Sequence, residues 1–183
     1  MRVKIYTKTG DLGETSLWGR AGMKRTRKDS RRVESYGAVD EANAWVGLAR
    51  SYGPLDPEFD HMLELVQHRL FSLGADLSNI NPEREDRIRE SHVADLEEWI
   101  DRVDGVLPPL KKFILPGGSP ASSALQLART VVRRAERRLV SLLDDEPSYG
   151  TQLKFLNRLS DFLFVAARRA NQLAGREDVL ADF

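Results

Sequence analysis

A chain of 183 residues, 41% hydrophobic and 31% charged, is long enough for one domain with a substantial core and short for two. Lysine plus arginine equals aspartate plus glutamate at 28 each, so net charge argues for neither a nucleic acid nor a membrane surface as partner. The absence of cysteine excludes disulfides, thiolate metal sites and a cysteine nucleophile. The start, Met1-Arg2-Val3-Lys4-Ile5, lacks an apolar signal core, and no stretch approaches the ~20 apolar residues of a membrane span, so a cytoplasmic protein is expected.

Residues 1–30 show no helical periodicity and are rich in glycine, threonine, lysine and arginine. Within them, Tyr6-Thr7-Lys8-Thr9-Gly10-Asp11-Leu12-Gly13-Glu14-Thr15-Ser16 combines two glycines with several hydroxyls and a lysine. Glycines let successive backbone N–H groups turn toward one anion, hydroxyls add donors, and Lys8 supplies charge. Lys24, Arg25, Arg27 and Lys28 make the next stretch strongly basic. No G-x-x-x-x-G-K-S/T pattern occurs, so this is not a Walker A loop. The alternative to a phosphate-binding loop is a glycine-rich turn entering a short hairpin, with its lysines solvated.

Five helical segments follow, by apolar spacing and end signals. The first covers residues 31–52 and stops at Gly53-Pro54. The second opens at Asp56-Pro57, an N-cap followed by proline at the first helical position, and ends near Ser78. The polar stretch 79–90 reads as a mobile loop. A third helix covers 91–104, and a linker over 106–118 contains Pro108-Pro109 and Pro116-Gly117-Gly118. Ser119-Pro120 caps a fourth helix running to Leu143, and the fifth covers 151–174. Short connections between amphipathic helices predict an all-α, up-down five-helix bundle of the ferritin-like topology class, with an irregular N-terminal loop. The expected organisation is one domain over 1–183: a phosphate-binding segment (1–30), the bundle (31–174) and a tail (175–183). The tail carries no functional signal.

On the fourth helix, at roughly 100° per residue, Arg129, Arg133 and Glu136 fall within about 60° of one another. They border the apolar stripe of Ala121, Leu125, Ala128, Val132, Ala135 and Leu139, whereas Arg134 and Arg138 point away from it. Arginines bordering a core face meet a neighbouring helix or a ligand. Asp40-Glu41 on the first helix offers counter-charge, and the fifth supplies Asn157, Arg158 and Asp161. The alternative is a salt-bridged surface, whose exposed pairs are individually worth little.

Glu58-x-x-His61 is a single Glu-x-x-His, whereas a di-iron bundle needs two such motifs and two further glutamates. His68 and His92 add no ligand pattern. Trp18, Trp45 and Trp99 are too scattered for a base-stacking platform, and no G-x-S-x-G elbow is present.

Taken together, several segments resemble the trimeric helical-bundle ATP:cob(I)alamin adenosyltransferases, of the propanediol-utilisation and mitochondrial type. They are the stretch from Ile5 to Gly13, Arg32-Val33-Glu34-Ser35-Tyr36-Gly37-Ala38-Val39-Asp40-Glu41, Lys112-Phe113-Ile114-Leu115-Pro116-Gly117-Gly118, and Arg133-Arg134-Ala135-Glu136-Arg137 followed by Phe155-Leu156-Asn157-Arg158-Leu159-Ser160-Asp161. The resemblance implies transfer of the 5′-deoxyadenosyl group of ATP to the cobalt of cob(I)alamin or a related corrinoid, with release of triphosphate. It assigns ATP to Thr7, Lys8, Thr9, Gly10, Thr15, Ser16, Lys24, Arg133, Arg134, Glu136, Arg137 and Asn157. It places the corrinoid against Phe113 and pairs Asp40 with Arg129 across a subunit boundary, so Asp40, Phe113, Arg129 and Arg133 are the expected catalytic set. Mg²⁺ is expected on the ATP phosphates, with no protein metal motif. The implied partners are two further copies in a homotrimer, a corrinoid reductase and an adenosylcobalamin-dependent client; neither nucleic acid nor membrane is expected. The alternative function is a corrinoid escort that delivers finished cofactor to its client.

Overall fold

The computed structural model describes residues 4–19, 24–53 and 55–182, so Pro54 of the expected helix stop and Met1 to Val3 lie outside the described residues. The expected bundle is present. It comprises α1 (Arg31–Ser51), α2 (Pro57–Ser78), α3 (Glu90–Asp104), α4 (Pro120–Leu143) and α5 (Gly150–Leu173). Side-chain caps start three of them: Ser30 accepts from the Val33 N–H, Asp56 from Phe59 and Ser119 from Ser122. Each cap satisfies one of the amide donors that a helix leaves orphaned at its start.

α1 packs against α2 and α4, α4 against α5, and α5 against α3. Leu63, Leu70, Leu96, Leu125, Leu139, Phe155 and Phe162 are among the fully buried core side chains. Each such burial stabilises the fold by about 1.5–3 kcal/mol before entropy is counted. Successive helices alternate in direction. At one end, where α1 begins and α2 finishes, buried Arg32 donates to the Leu77 carbonyl and to the Tyr149 hydroxyl at the start of α5. At the other, buried Arg168 near the end of α5 pairs with Asp104 at the end of α3.

Three segments depart from expectation. The N-terminal stretch is not wholly irregular: β1 (Glu14–Leu17) and β2 (Lys24–Arg27) form an antiparallel hairpin with Glu14 opposite Arg27 and Leu17 opposite Lys24. It is stitched to the end of α2 by Trp18 N–H to the Ser78 carbonyl (3.2 Å) and Ile80 N–H to the Trp18 carbonyl (2.8 Å). The stretch read as a mobile loop is pinned, because the buried Asp76 carboxylate accepts from the Arg87 and Ile88 N–H groups and Ile88 enters the core. The tail, which carried no signal, pairs with the α3–α4 linker: Leu115 N–H donates to the Val179 carbonyl (2.8 Å) and Ala181 N–H to the Phe113 carbonyl (2.9 Å).

Candidate active site

The glycine-rich loop sits at the open end of the hairpin with Thr7, Lys8 and Thr9 exposed. Lys8 (φ 59°) and Gly13 (φ 80°) take left-handed backbone, and Gly13 N–H closes a turn onto the Gly10 carbonyl. A left-handed residue beside right-handed neighbours is the backbone form from which anion nests are built. Arg25 braces the loop from β2: one guanidinium nitrogen donates to the Thr9 carbonyl (2.6 Å) and another to Ser16 Oγ (3.2 Å). The lysines that open and follow β2 differ in placement. Lys24 stands opposite Leu17 at the far end of the hairpin. Lys28 donates its N–H to the Gly13 carbonyl, and its ammonium lies 3.2 Å from where a Cβ on Gly10 would stand. Thr15 and Ser16 are half-buried on β1, where Thr15 hydrogen-bonds the Tyr36 phenol, whose pKa burial raises.

On α4, the half-buried Arg129 donates to Gln126 Oε1 at 2.8 Å. Desolvation lowers its pKa, and the neighbouring charge of Arg133 lowers it further. It remains a guanidinium at neutral pH, yet among the described residues no carboxylate of its own chain pairs with it. Arg133 is exposed, its carbonyl accepting from Arg137, and Glu136 accepts from Asn157 Nδ2 at 2.9 Å, joining α4 to α5. Glu41 does not serve this stripe, contrary to the sequence reading: it pairs with Arg134, while Glu34 pairs with Arg138. The two arginines that point away from the stripe therefore clamp α4 onto α1.

Asp40 is exposed beside Glu41 and lines a cavity of about 460 Å³ between α1 and α2, with Asn43, Leu70, Phe71 and Gly74. Asn43 Oδ1 is buried there without a hydrogen-bond partner among the described residues, and Phe71 is 76% exposed. The sequence reading missed Phe71. Its signal was a large aromatic residue off the buried stripe Leu63, Val66, Leu70, Leu73 and Leu77 of an otherwise regular amphipathic helix. Phe113 is likewise exposed, in the linker before α4, with Leu115 exposed beside it.

Within one chain these pieces stay apart. No hydrogen bond or ion pair among the described residues joins Thr7 to Ser16 with Arg129, Arg133, Arg137 or Asn157. No three histidine, aspartate or glutamate side chains among the described residues converge as cation ligands. The chain thus offers a polyphosphate-sized set of donors, a cationic helix stripe and exposed aromatic faces, each open toward something outside it.

The profile of the family described as cobalamin adenosyltransferase matches residues 5–170. The chain is 47% identical over 180 residues to a corrinoid adenosyltransferase of Bacillus subtilis, covering 97% of this chain and 91% of that protein. It is 41% identical over 185 residues to the corrinoid adenosyltransferase of Mus musculus, covering 96% of this chain and 76% of that one. Among solved structures, a phenylalanine-to-alanine variant of a PduO-type ATP:corrinoid adenosyltransferase from Lactobacillus reuteri, complexed with cobalamin and ATP, superposes with a TM-score of 0.90. It is 42% identical, covering 97% of this chain and 99% of that one. An arginine-to-lysine variant of that type from the same organism, complexed with ATP, gives 0.87 at 41% identity, covering 97% and 100%.

Proposed function

The chain belongs to the cobalamin adenosyltransferase family, and from that premise we propose how its residues divide the work of the reaction. The protein transfers the 5′-deoxyadenosyl group of ATP to the cobalt of cob(I)alamin or a related corrinoid. Cobalt is the nucleophile: its electron pair forms the Co–C bond at the 5′ carbon, and the C–O bond breaks toward the departing triphosphate. The protein therefore needs no nucleophile of its own. It must orient two substrates and stabilise the charge that collects on the leaving group.

In this reading Thr7, Lys8, Thr9, Gly10, Thr15 and Ser16 hold the triphosphate, with Lys28 supplying the charge nearest Gly10 and Lys24 reaching in from the far end of the hairpin. Arg133, Arg134, Glu136, Arg137 and Asn157 face the nucleotide from a second subunit. Of these, Arg134 acts mainly through its clamp on Glu41, so Arg133 and Arg137 carry the transition-state charge. Mg²⁺ enters on the phosphate oxygens. Phe113 stands against the corrinoid, where a bulky apolar ring excludes water and the lower axial ligand and makes four-coordinate Co(II) easier to reduce.

The observation that carries the two-subunit reading is the half-buried Arg129, with no carboxylate partner among the described residues, matched by an exposed Asp40 with no cation partner among them. A guanidinium partly removed from water beside another arginine is costly unless something anionic meets it. We infer a homotrimer in which the loop of one copy meets the arginine stripe of the next. We place its work in the cytoplasm beside a corrinoid reductase and an adenosylcobalamin-dependent client; no described helix is long and apolar enough to cross a membrane. In this reading each copy contributes one domain, the bundle with its N-terminal hairpin, to the shared sites.

The direct test follows the spectral change from Co(I) to Co–carbon corrinoid with ATP and a strong reductant. Sustained turnover is expected. A single turnover per site that then stalls would favour the escort role instead.

A further inference from the structure

The segment bearing Phe113 rests on little core. Phe113 and Leu115 are exposed, Ile114 is half-buried, and behind them lies a cavity of about 460 Å³ lined by Leu107, Leu110, Ile114, Gln172 and Leu180. What fixes the segment is backbone pairing with the tail, through Leu115 N–H to Val179 and Ala181 N–H to Phe113. The tail is fixed in turn by the Arg176 N–H, which donates to the Asn171 carbonyl at 2.9 Å, and by one carboxylate. Asp178 Oδ2 accepts from Arg168 Nε at 2.8 Å and Oδ1 from Asn171 Nδ2 at 3.1 Å, and the Asp178 side chain is only 18% exposed.

Those two α5 residues also hold the linker at both ends. Arg168, itself buried, donates to the Pro108 carbonyl at 2.6 Å and pairs with Asp104. Asn171 donates to the Gly117 carbonyl (3.1 Å) and accepts the Ser119 N–H (2.8 Å). Linker, tail and α5 thus form one polar clasp in place of a packed core. Charge-assisted bonds of this kind, sheltered from water, fix geometry more narrowly than the surface pairs elsewhere on the bundle.

We propose that residues 176–182 are a latch that seats Phe113, closed by Asp178 between Arg168 and Asn171, and that these three act as positioning residues for corrinoid activation. The proposal rests on the role given to Phe113 above. The bonds of the latch involve none of the residues assigned to ATP, so releasing it is expected to separate the two substrates: the apolar wall loosens while ATP binding stays intact.

The test uses the full chain with Asp178→Ala, and Ala181→Pro as a second variant that deletes the N–H bonded to Phe113 without disturbing Arg168. Amide exchange in the substrate-free protein is expected to quicken at 113–115 and 179–181 in Asp178→Ala. The fraction of bound Co(II) corrinoid in the four-coordinate state, read by absorption and electron paramagnetic resonance, should fall in both variants. A fall in kcat of roughly 10- to 100-fold is expected, the scale produced by displacing a positioning group by about an ångström, with KM for ATP unchanged. Asp104→Ala removes a charge from Arg168 but leaves the tail bonded, and should keep both the exchange pattern and the four-coordinate fraction. Unchanged exchange in Asp178→Ala, or a wild-type four-coordinate fraction in a protein whose tail is released, would overturn the latch. If Phe113→Ala also left that fraction unchanged, the role of Phe113 would fail, and the latch with it. A drop in Tm accompanied by equal losses in ATP and corrinoid binding would mark the clasp as merely structural and overturn the proposal.

Discussion

Arg133 and Arg134 are adjacent in sequence and opposite in employment. Arg133 is exposed beside half-buried Arg129, whereas Arg134 is spent on Glu41 of α1. A guanidinium presents a rigid fork to phosphate oxygens that an ammonium cannot reproduce, while an exposed ion pair asks only for a positive charge within reach. Arg133→Lys is therefore expected to preserve fold and assembly but lower turnover. Arg133→Ala is expected to lose roughly 10²–10³ in kcat, the usual result of deleting one donor to developing charge. In both, kcat should fall by more than KM for ATP rises. Arg134→Lys should keep most activity, and comparable losses at both positions in steady-state assays would refute the division. The angular separation of the two side chains was legible from the sequence. That Arg134 and Arg138 meet α1 was not, because a helical wheel gives direction without naming the neighbour.

At the scale of elements, the helices were legible almost to the residue, because signals such as Asp56-Pro57 and Ser119-Pro120 mark starts that local chemistry enforces. The hairpin was legible only as an alternative to an irregular loop, since Glu-Thr-Ser-Leu and Lys-Arg-Thr-Arg lack apolar alternation and bury little besides Leu17; backbone pairing and Arg25 hold them. The tail was illegible for a related reason. Its pairing partner lies some sixty residues away, and its anchor, Asp178, looks like any surface aspartate. Arg25→Ala should therefore raise KM for ATP with little change in helical circular dichroism, because it frees Thr9 and Ser16 but leaves the bundle untouched. The linker makes a sharper demand. Gly118 has φ 112°, and a Cβ there would collide with the Asn171 side-chain amide. Gly118→Ala should cost about 1–3 kcal/mol in backbone strain alone. For a chain of this size that corresponds to a fall in Tm of several degrees, about 2–4 °C per kcal/mol, measurable by calorimetry.

For the whole molecule, the proposed meeting of one copy's loop with the next copy's arginine stripe requires that a monomer hold an incomplete site. Light scattering at working concentration should find a trimer, and a monomer alone would end the composite-site reading. The charge pattern makes the contact itself testable. Asp40 borders the α1–α2 cavity, on which the unpartnered Asn43 oxygen and exposed Phe71 also open, so this face suits contact with another molecule. Arg129 waits half-buried on α4 of the same chain with no carboxylate to meet among the described residues. If Asp40 of one copy meets Arg129 of the next, either single alanine variant leaves the remaining charge desolvated and alone, at a cost on the order of 3–5 kcal/mol. The double variant removes both charges, so its loss in assembly or corrinoid affinity should be well below the sum of the single losses. A coupling of about 1 kcal/mol or more in the double-mutant cycle would place the pair in contact. Additive losses would mean that Arg129 answers to an anion other than Asp40, with the bound triphosphate as the remaining choice.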